Sequence, residues 1–374
     1  MRMSKQKIIY IAHGFGERNH FTALYKKAGE YGYTISEQII LSNRAFLGRI
    51  ARSIVGGRIK EAIGFIAIKI QFHFLKNQII IVSLPAYDPT LIKYRKVFER
   101  NCCFFHSSHP FWDGSYYTKG SLAIRPQFEE VLRQCFVGGF CVNKFASEGL
   151  KPYIPDLRLV YHAIEVGLYN KKVFERNQDK KKCFGYDRTI SYVYVGQLRK
   201  VKNATIILDW VRENTEANVS ISFIGKGELE SDIKRCARID KRIKYKGYYE
   251  KSKLQKELCN YDYLILPSHF ETLGIVILEA MAAGVPCIVS NVSGPLSIIK
   301  EGKTGFFFDV SKGLLSFNEV MKKSIDISCE DYRHMSDNAI LEAQKYDVEP
   351  ICKTWISLIE EKAKEYGGKS NCLF

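Results

Sequence analysis

The sequence predicts an α/β protein built from two Rossmann-like domains, and three observations predict it. A chain of 374 residues exceeds one ordinary core and fits two domains. An apolar run, a glycine-containing loop and a helical stretch open the chain at KIIYIAHGFGER (7–18), and the pattern restarts at ISYVYVGQLRKVKN (190–203). That order is the opening of a Rossmann-like unit. Residues 261–290 then read strand, loop, helix, strand, with YDYLILPS and CIVS as the strands.

The elements follow in order. After the HGFG loop, HFTALYKKAGEYGY is helical; HGFG is no GxGxxG and is equally an ordinary tight turn. Residues 45–75 set Arg49, Arg52, Arg58, Lys60 and Lys69 among Phe46, Ile50, Ile54, Ile59 and Phe65, with a break at Gly56–Gly57. This predicts a basic amphipathic helix pair, which either covers the sheet or lies on an anionic membrane surface. QIIIVSLPAYDP (78–89) and NCCFFHSSHPFWDG (101–114) bring two further strands. His106 falls in the loop after the second, where open α/β sheets place ligands, and Trp112 offers a face for an acceptor sugar or for packing. The polar stretch 175–188 reads as a linker, giving domains at 1–178 and 179–348 and a C-terminal helix at 349–374. SISFIGKGELESDIKRCA (220–237) adds strand, turn and helix, and the tail divides into two helices near Pro350.

The stretch HFETLGIVILEAMAAGVPCIVSNVSGPLSIIKEGKTG (269–305) carries the chemistry. Glu271 sits in a loop at a helix N-terminus, and Glu279 lies about two turns down that helix. Acids so separated do not share one proton; they grip separate hydroxyl-bearing parts of one elongated ligand. The amides of Thr272, Leu273 and Gly274 at the helix start favour an anion between them. Sugar, phosphate and ribose in line describe a nucleotide sugar. For two glutamates without context, the alternative is a solvated loop acid and a helix-surface acid.

ETLGIVILEAMAAGVP resembles the E-x7-E motif of the retaining GT-B glycosyltransferases of family 4, the glycosyl transferases group 1. The resemblance implies a GT-B fold: two Rossmann-like domains facing across a cleft, with the last helix crossing back to the first domain. It implies that Glu271 stabilises positive charge on the donor sugar and Glu279 holds the ribose. Relatives carry G-R-L-x-x-x-K where this chain has Gly196, Gln197, Leu198 and Lys202, so Lys202 is expected on the diphosphate. Arg199 or Lys200 then stands in for the arginine that Gln197 replaces. Gly225 and Tyr248 match segments beside the nucleotide base, and Gly14 and Gly16 a glycine loop under the diphosphate. His106, with His109 as its alternate, matches a histidine near the donor sugar. The chain departs at His162–Ala163–Ile164–Glu165, usually Asn-Gly-Val-Asp, and at Ser293 and Ser297 in a loop that is usually GGxxE.

The implied function is transfer of a sugar from a UDP- or GDP-sugar, as substrate rather than cofactor, to a glycan or lipid-linked acceptor of cell-surface polysaccharide, lipopolysaccharide or glycolipid synthesis. The alternatives are a degenerate GT-B interaction partner and a GT-B phosphorylase or epimerase. No metal is expected, because no DxD-like acid pair is placed to hold one. The net charge is +16, and residues 1–100 hold 17 of the 56 Lys and Arg against 6 of the 40 Asp and Glu. That favours an anionic surface; no nucleic-acid-binding motif accompanies the charge, so nucleic acid is not expected. Eleven Cys without a CxxC pair suggest neither a zinc cluster nor a disulfide framework. No apolar run reaches a membrane-spanning length, and the N-terminus reads as a strand, so a cytoplasmic and at most peripheral protein is expected.

Overall fold

The computed structural model describes residues 6–12, 18–39, 55, 72–85, 87–107, 122–170 and 188–369. The chain divides into two compact units, Met1–Ala163 with Val348–Phe374, and Ile164–Asp347. The expected linker 175–188, apart from Arg188, and nearly all of residues 45–75 lie outside the described residues.

In the first unit, β1 (Gln6–Ala12), β2 (Tyr33–Ile39), β3 (Ile79–Ser83), β4 (Cys102–Ser107), β5 (Phe136–Cys141) and β6 (Leu157–Leu159) form one sheet in the order β2-β1-β3-β4-β5-β6. Its described pairings are parallel. A parallel sheet is covered on both faces, which is why IIIVS and CCFF are continuously apolar rather than alternating. Successive residues nonetheless divide between two cores, because strand side chains point to opposite faces. Ile9, Ile11, Val82 and Phe105 pack with Phe128, on the helix α2 (Arg125–Cys135). Ile8, Tyr10, Phe104 and Phe140 pack with Leu24 of α1 (Arg18–Glu30) and with Trp355, Ile356 and Ile359.

Those last three residues lie on the C-terminal helix, Val348–Lys369. The tail breaks at the short turn Gln344–Tyr346 rather than at Pro350. Pro350 sits in the first turn of the final helix, where a missing N–H costs no intrahelical bond. The helix is also fastened by polar contacts: Arg158 pairs with Glu361 at 2.6 Å, and Tyr33 donates to Glu360 at 2.7 Å.

In the second unit, β7 (Ile190–Val195), β8 (Val219–Ile224), β9 (Ile243–Gly247), β10 (Tyr263–Leu266), β11 (Cys287–Ser290) and β12 (Gly305–Phe308) form a sheet in the order β12-β11-β10-β7-β8-β9. These pairings are parallel too. From β7 the chain runs outward through β8 and β9, then returns to place β10 on the other side of β7. The order therefore reverses between β7 and β10, which makes the loops after these strands the topological switch point. Tyr192, Tyr194, Phe223 and Tyr263 pack against Trp210 of α3 (Thr205–Glu213) and against Phe317.

Candidate functional site

The loop after β10 runs from Pro267 to Gly274 and feeds α5 (Ile275–Ala282), with α4 (Lys251–Glu257) preceding it in the chain. Gly274 caps the N-terminus of α5 at φ 85°, a conformation that favours glycine. The helix closes through a Schellman motif: Val285 N donates to Ala280 O and Gly284 N to Met281 O, both at 2.9 Å, with Gly284 at φ 66°. Pro286 follows, as the sequence predicts. The amides of Thr272, Leu273 and Gly274 stand at the start of this helix.

The turn Lys200–Lys202 follows β7. His269 N donates to Val201 O at 2.9 Å, tying the two switch-point loops together through their backbones. Lys202 Nζ then reaches Glu271 Oε2 at 2.7 Å, with side-chain exposures of 22% and 14%. The predicted catalytic acid and the predicted diphosphate lysine thus form one ion pair at the switch point. Tyr194, whose hydroxyl donates to Gln197 O at 2.7 Å, lies close enough to Glu271 to feel its charge; burial, more than that charge, raises its pKa.

Glycines let the backbones after β7 and β8 close on one another. Gly225 N–H bonds to Gly247 O, and Gly196 N–H to Ile224 O. A Cβ on Gly225 would lie 1.8 Å from Gly196 O, so the turn Gly225–Lys226–Gly227 rests directly on the Gly196–Leu198 segment. Leu198 N donates to Lys226 O at 2.9 Å across the same seam. Gln197 Oε1 lies 3.4 Å from Arg199 Nη1. Tyr248 is 57% exposed, with Lys226 Nζ 5.7 Å from its ring centroid, and so presents an aromatic face next to the Gly225 turn.

The divergent loop after β11 supports Glu271 in spite of its serines. Gly294 N donates to Glu271 O at 3.1 Å, and Ser293 Oγ approaches the same oxygen at 3.4 Å. A Cβ on Gly294 would lie 2.6 Å from Glu271 O and 2.7 Å from Leu273 N, so only glycine fits there.

Glu279 is not brought to Glu271. It is the lone ionisable residue of the apolar helix IVILEAMA and is 8% exposed. Burial raises its pKa, and Tyr169, donating to Oε1 at 2.8 Å, acts in the opposite direction. Sequence reasoning missed Tyr169. Its only local signal is an aromatic residue four positions after Glu165, and the contact spans 110 residues.

His106 belongs to the first unit. It lies inside β4 rather than in the loop beyond it, because β4 stays paired through His106↔Phe140 and Ser107↔Cys141. It is 4% exposed, with Nδ1 3.3 Å from Tyr10 Oη and 3.2 Å from Ser83 Oγ, and burial lowers its pKa to about 4. Gly14, Gly16, His109 and Trp112 lie outside the described residues. Among the described residues no group of three or more His, Cys, Asp or Glu is placed to hold a metal, and no helix is long and apolar enough to cross a membrane.

The family model for glycosyl transferases group 1 matches residues 175–342. An N-acetyl-alpha-D-glucosaminyl L-malate synthase of Bacillus anthracis is 28% identical over 159 residues, 41% of this chain and 41% of that protein. A UDP-Gal:alpha-D-GlcNAc-diphosphoundecaprenol alpha-1,3-galactosyltransferase of Escherichia coli is 31% identical over 223 residues, 56% of this chain and 57% of that protein. The matches thus span about half the length of these relatives. The Anabaena protein HepE, solved with UDP and glucose, aligns with a TM-score of 0.66 at 13% identity, covering 95% of this chain and 100% of that one. The lipopolysaccharide outer core galactosyltransferase WaaB aligns at 0.63 and 17% identity, covering 96% and 100%. At such identities the structural likeness shows the fold, which is GT-B. Through residues 175–342, the chain is similar to the glycosyl transferases group 1.

Proposed function

We propose that the protein is a retaining glycosyltransferase moving a sugar from a nucleoside-diphosphate donor to a glycan or lipid-linked acceptor. The observation that carries this reading is the Lys202–Glu271 ion pair at the switch point of the second sheet, beside the N-terminus of α5. In this reading the ligand separates the pair's two tasks. Glu271 accepts hydrogen bonds from donor-sugar hydroxyls and stabilises the positive charge that grows on the sugar as the glycosidic bond breaks. Lys202, with the helix-start amides, offsets the charge of the departing diphosphate, and Arg199 is the second cation at that position. Aimed electrostatics of this kind commonly supplies more of the rate enhancement than any other single effect. Glu279 accepts from the ribose, and Tyr248 offers its face to the base. The leaving-group charge is carried by these residues, so the reading calls for no resident metal.

HepE has been solved with UDP and with UDP-glucose, which favours UDP as the first nucleotide to try. The Escherichia coli relative acts, by its name, on a diphosphoundecaprenol-linked sugar. That supports a lipid-linked acceptor, used by a cytoplasmic protein whose basic residues 45–75 lie on an anionic membrane surface. His106 contacts the donor sugar or helps to order the acceptor in this reading, and His109 and Trp112 belong to the acceptor side.

Calorimetric titration of UDP, GDP and ADP, alone and as their common sugar conjugates, into the wild type and Glu279→Ala tests the donor site. One nucleotide is expected to bind tightly and to weaken in the variant. Binding of none would sink the assignment and bring forward a non-catalytic interaction partner. The anomeric configuration of product made from the bound donor, read by NMR, tests retention.

A further inference from the structure

The partner of Glu279 suggests how the ligand is read. Glu279 Oε1 accepts the Tyr169 hydroxyl at 2.8 Å, and among the described residues Glu279 has no other hydrogen bond or ion pair. Tyr169 is 2% exposed and held in the single turn Gly167–Asn170. That turn is itself fastened at its base, by Val166 N donating to Asp347 Oδ1 at 2.9 Å and Ile164 N to Tyr346 O at 3.0 Å. Burial first, and then the charge of Glu279 and the bond to it, raise the Tyr169 pKa well above its ordinary value, so the hydroxyl keeps the proton that it donates to Glu279. The other carboxylate oxygen, Oε2, has no partner among the described residues, yet it is not one of the sealed, unpartnered buried atoms. A carboxylate has about four acceptor positions, and a buried one is stable as an anion only when several are filled. Here the protein fills one position on Oε1 and, among the described residues, none on Oε2, which makes Oε2 the freer oxygen for a ligand.

We propose that Tyr169 is a specificity-determining residue: by taking an acceptor position on Oε1 of Glu279 it leaves Oε2 the freer acceptor, so the site favours one ribose hydroxyl over its vicinal neighbour. The inference rests on the reading of Glu279 as the ribose carboxylate. An unencumbered carboxylate matches two neighbouring hydroxyls with two oxygens. With one position of Oε1 taken by a rigidly seated tyrosine, the hydroxyl that meets Oε2 gains the stronger charge-assisted bond.

The test is calorimetry with the nucleoside diphosphate that binds most tightly among UDP, GDP and ADP, together with its 2′-deoxy and 3′-deoxy forms. In the wild type, one deoxy form is expected to lose about tenfold or more in affinity, as for a hydrogen bond to a charged acceptor, and the other to stay within about twofold. Tyr169→Phe frees Oε1, and both deoxy forms should then lose affinity comparably. Equal losses for the two deoxy forms in the wild type, or no loss for either, would overturn the proposal while nucleotide binding itself stands. Failure of every parent nucleotide to bind overturns the donor-site reading instead. The wild-type comparison decides the matter even where Tyr169→Phe folds poorly, which thermal melting reports.

Discussion

Lys202 Nζ lies 2.7 Å from Glu271 Oε2, and the two residues come from the loops after β7 and β10, the strands between which the sheet order reverses. Both side chains keep some solvent contact, so the pair contributes little to stability, about 1 kcal/mol or less. In the proposed reaction its weight falls on chemistry. Lys202→Ala should lower turnover about 10²–10³-fold, the range seen when one aimed electrostatic group is lost, while the melting temperature hardly moves. Steady-state kinetics beside thermal melts check both halves. A variant that keeps a tenth or more of wild-type turnover would remove Lys202 from the leaving-group role.

Gly294 carries a second prediction, because the neighbours its side chain would meet are backbone atoms of Glu271, Thr272 and Leu273. Backbone in a tight loop yields less than a flexible side chain does. Gly294→Ala should therefore cost about 1–3 kcal/mol and displace Glu271. Activity should fall further than stability alone explains, since small misplacements of a reacting group are costly. Ser293→Ala, which removes only a 3.4 Å approach to Glu271 O, should be nearly silent in both. Urea titration and kinetics on the two variants separate these outcomes; equal effects would mean the loop does not position the acid.

The parts of this site that are legible in the sequence are those in which chemistry and local structure share one stretch of chain. Glu271, the Thr272–Gly274 amides and Glu279 lie within one loop and helix, and Lys202 within one strand–loop step, so spacing and turn residues place them. Tyr169 is not legible because its contact with Glu279 is a matter of packing between distant segments, and no periodicity reports that. Gly294 is intermediate: the serines beside it mark the loop as divergent, but the close approach that requires glycine shows only in three dimensions. For His106, the end of the apolar run CCFF suggests the end of the strand, whereas pairing with β5 carries the strand through Ser107.

The C-terminal helix belongs to the core of the first unit, so a substitution far along the chain should destabilise that unit. Trp355 is 3% exposed, and its ring centroid lies 6.0 Å from that of Phe140 on β5. Trp355→Ala should cost about 3–5 kcal/mol, the usual range for deleting a buried large aromatic. Denaturation followed by circular dichroism should show an earlier transition for the first unit. Nucleotide binding, assigned to the second unit, should survive at temperatures where both remain folded. A loss below about 1 kcal/mol would mean that the helix is only loosely attached.

His106 gives a prediction in pH. Burial lowers its pKa from 6.5 to about 4, so the folded chain holds the imidazole neutral at neutral pH. The unfolded chain takes up a proton near pH 6.5 and the folded chain only near pH 4. Between these values the unfolded state binds more protons, so the stability present above pH 6.5 is lost as the pH falls toward 4. His106→Asn retains a polar group for Tyr10 and Ser83 but does not titrate. Its stability should fall less steeply over this interval, by up to about 1.4 kcal/mol per pH unit, the slope for one proton. Thermal melts of both proteins from about pH 7.5 to 4 measure the difference. Parallel curves, or an NMR titration of His106 near its ordinary value of about 6.5, would show that the ring is accessible to protons. In that case it could enter the reaction as a cation. A neutral His106 is restricted to hydrogen bonding, so any acidic limb of the activity profile above about pH 5 should persist in His106→Asn.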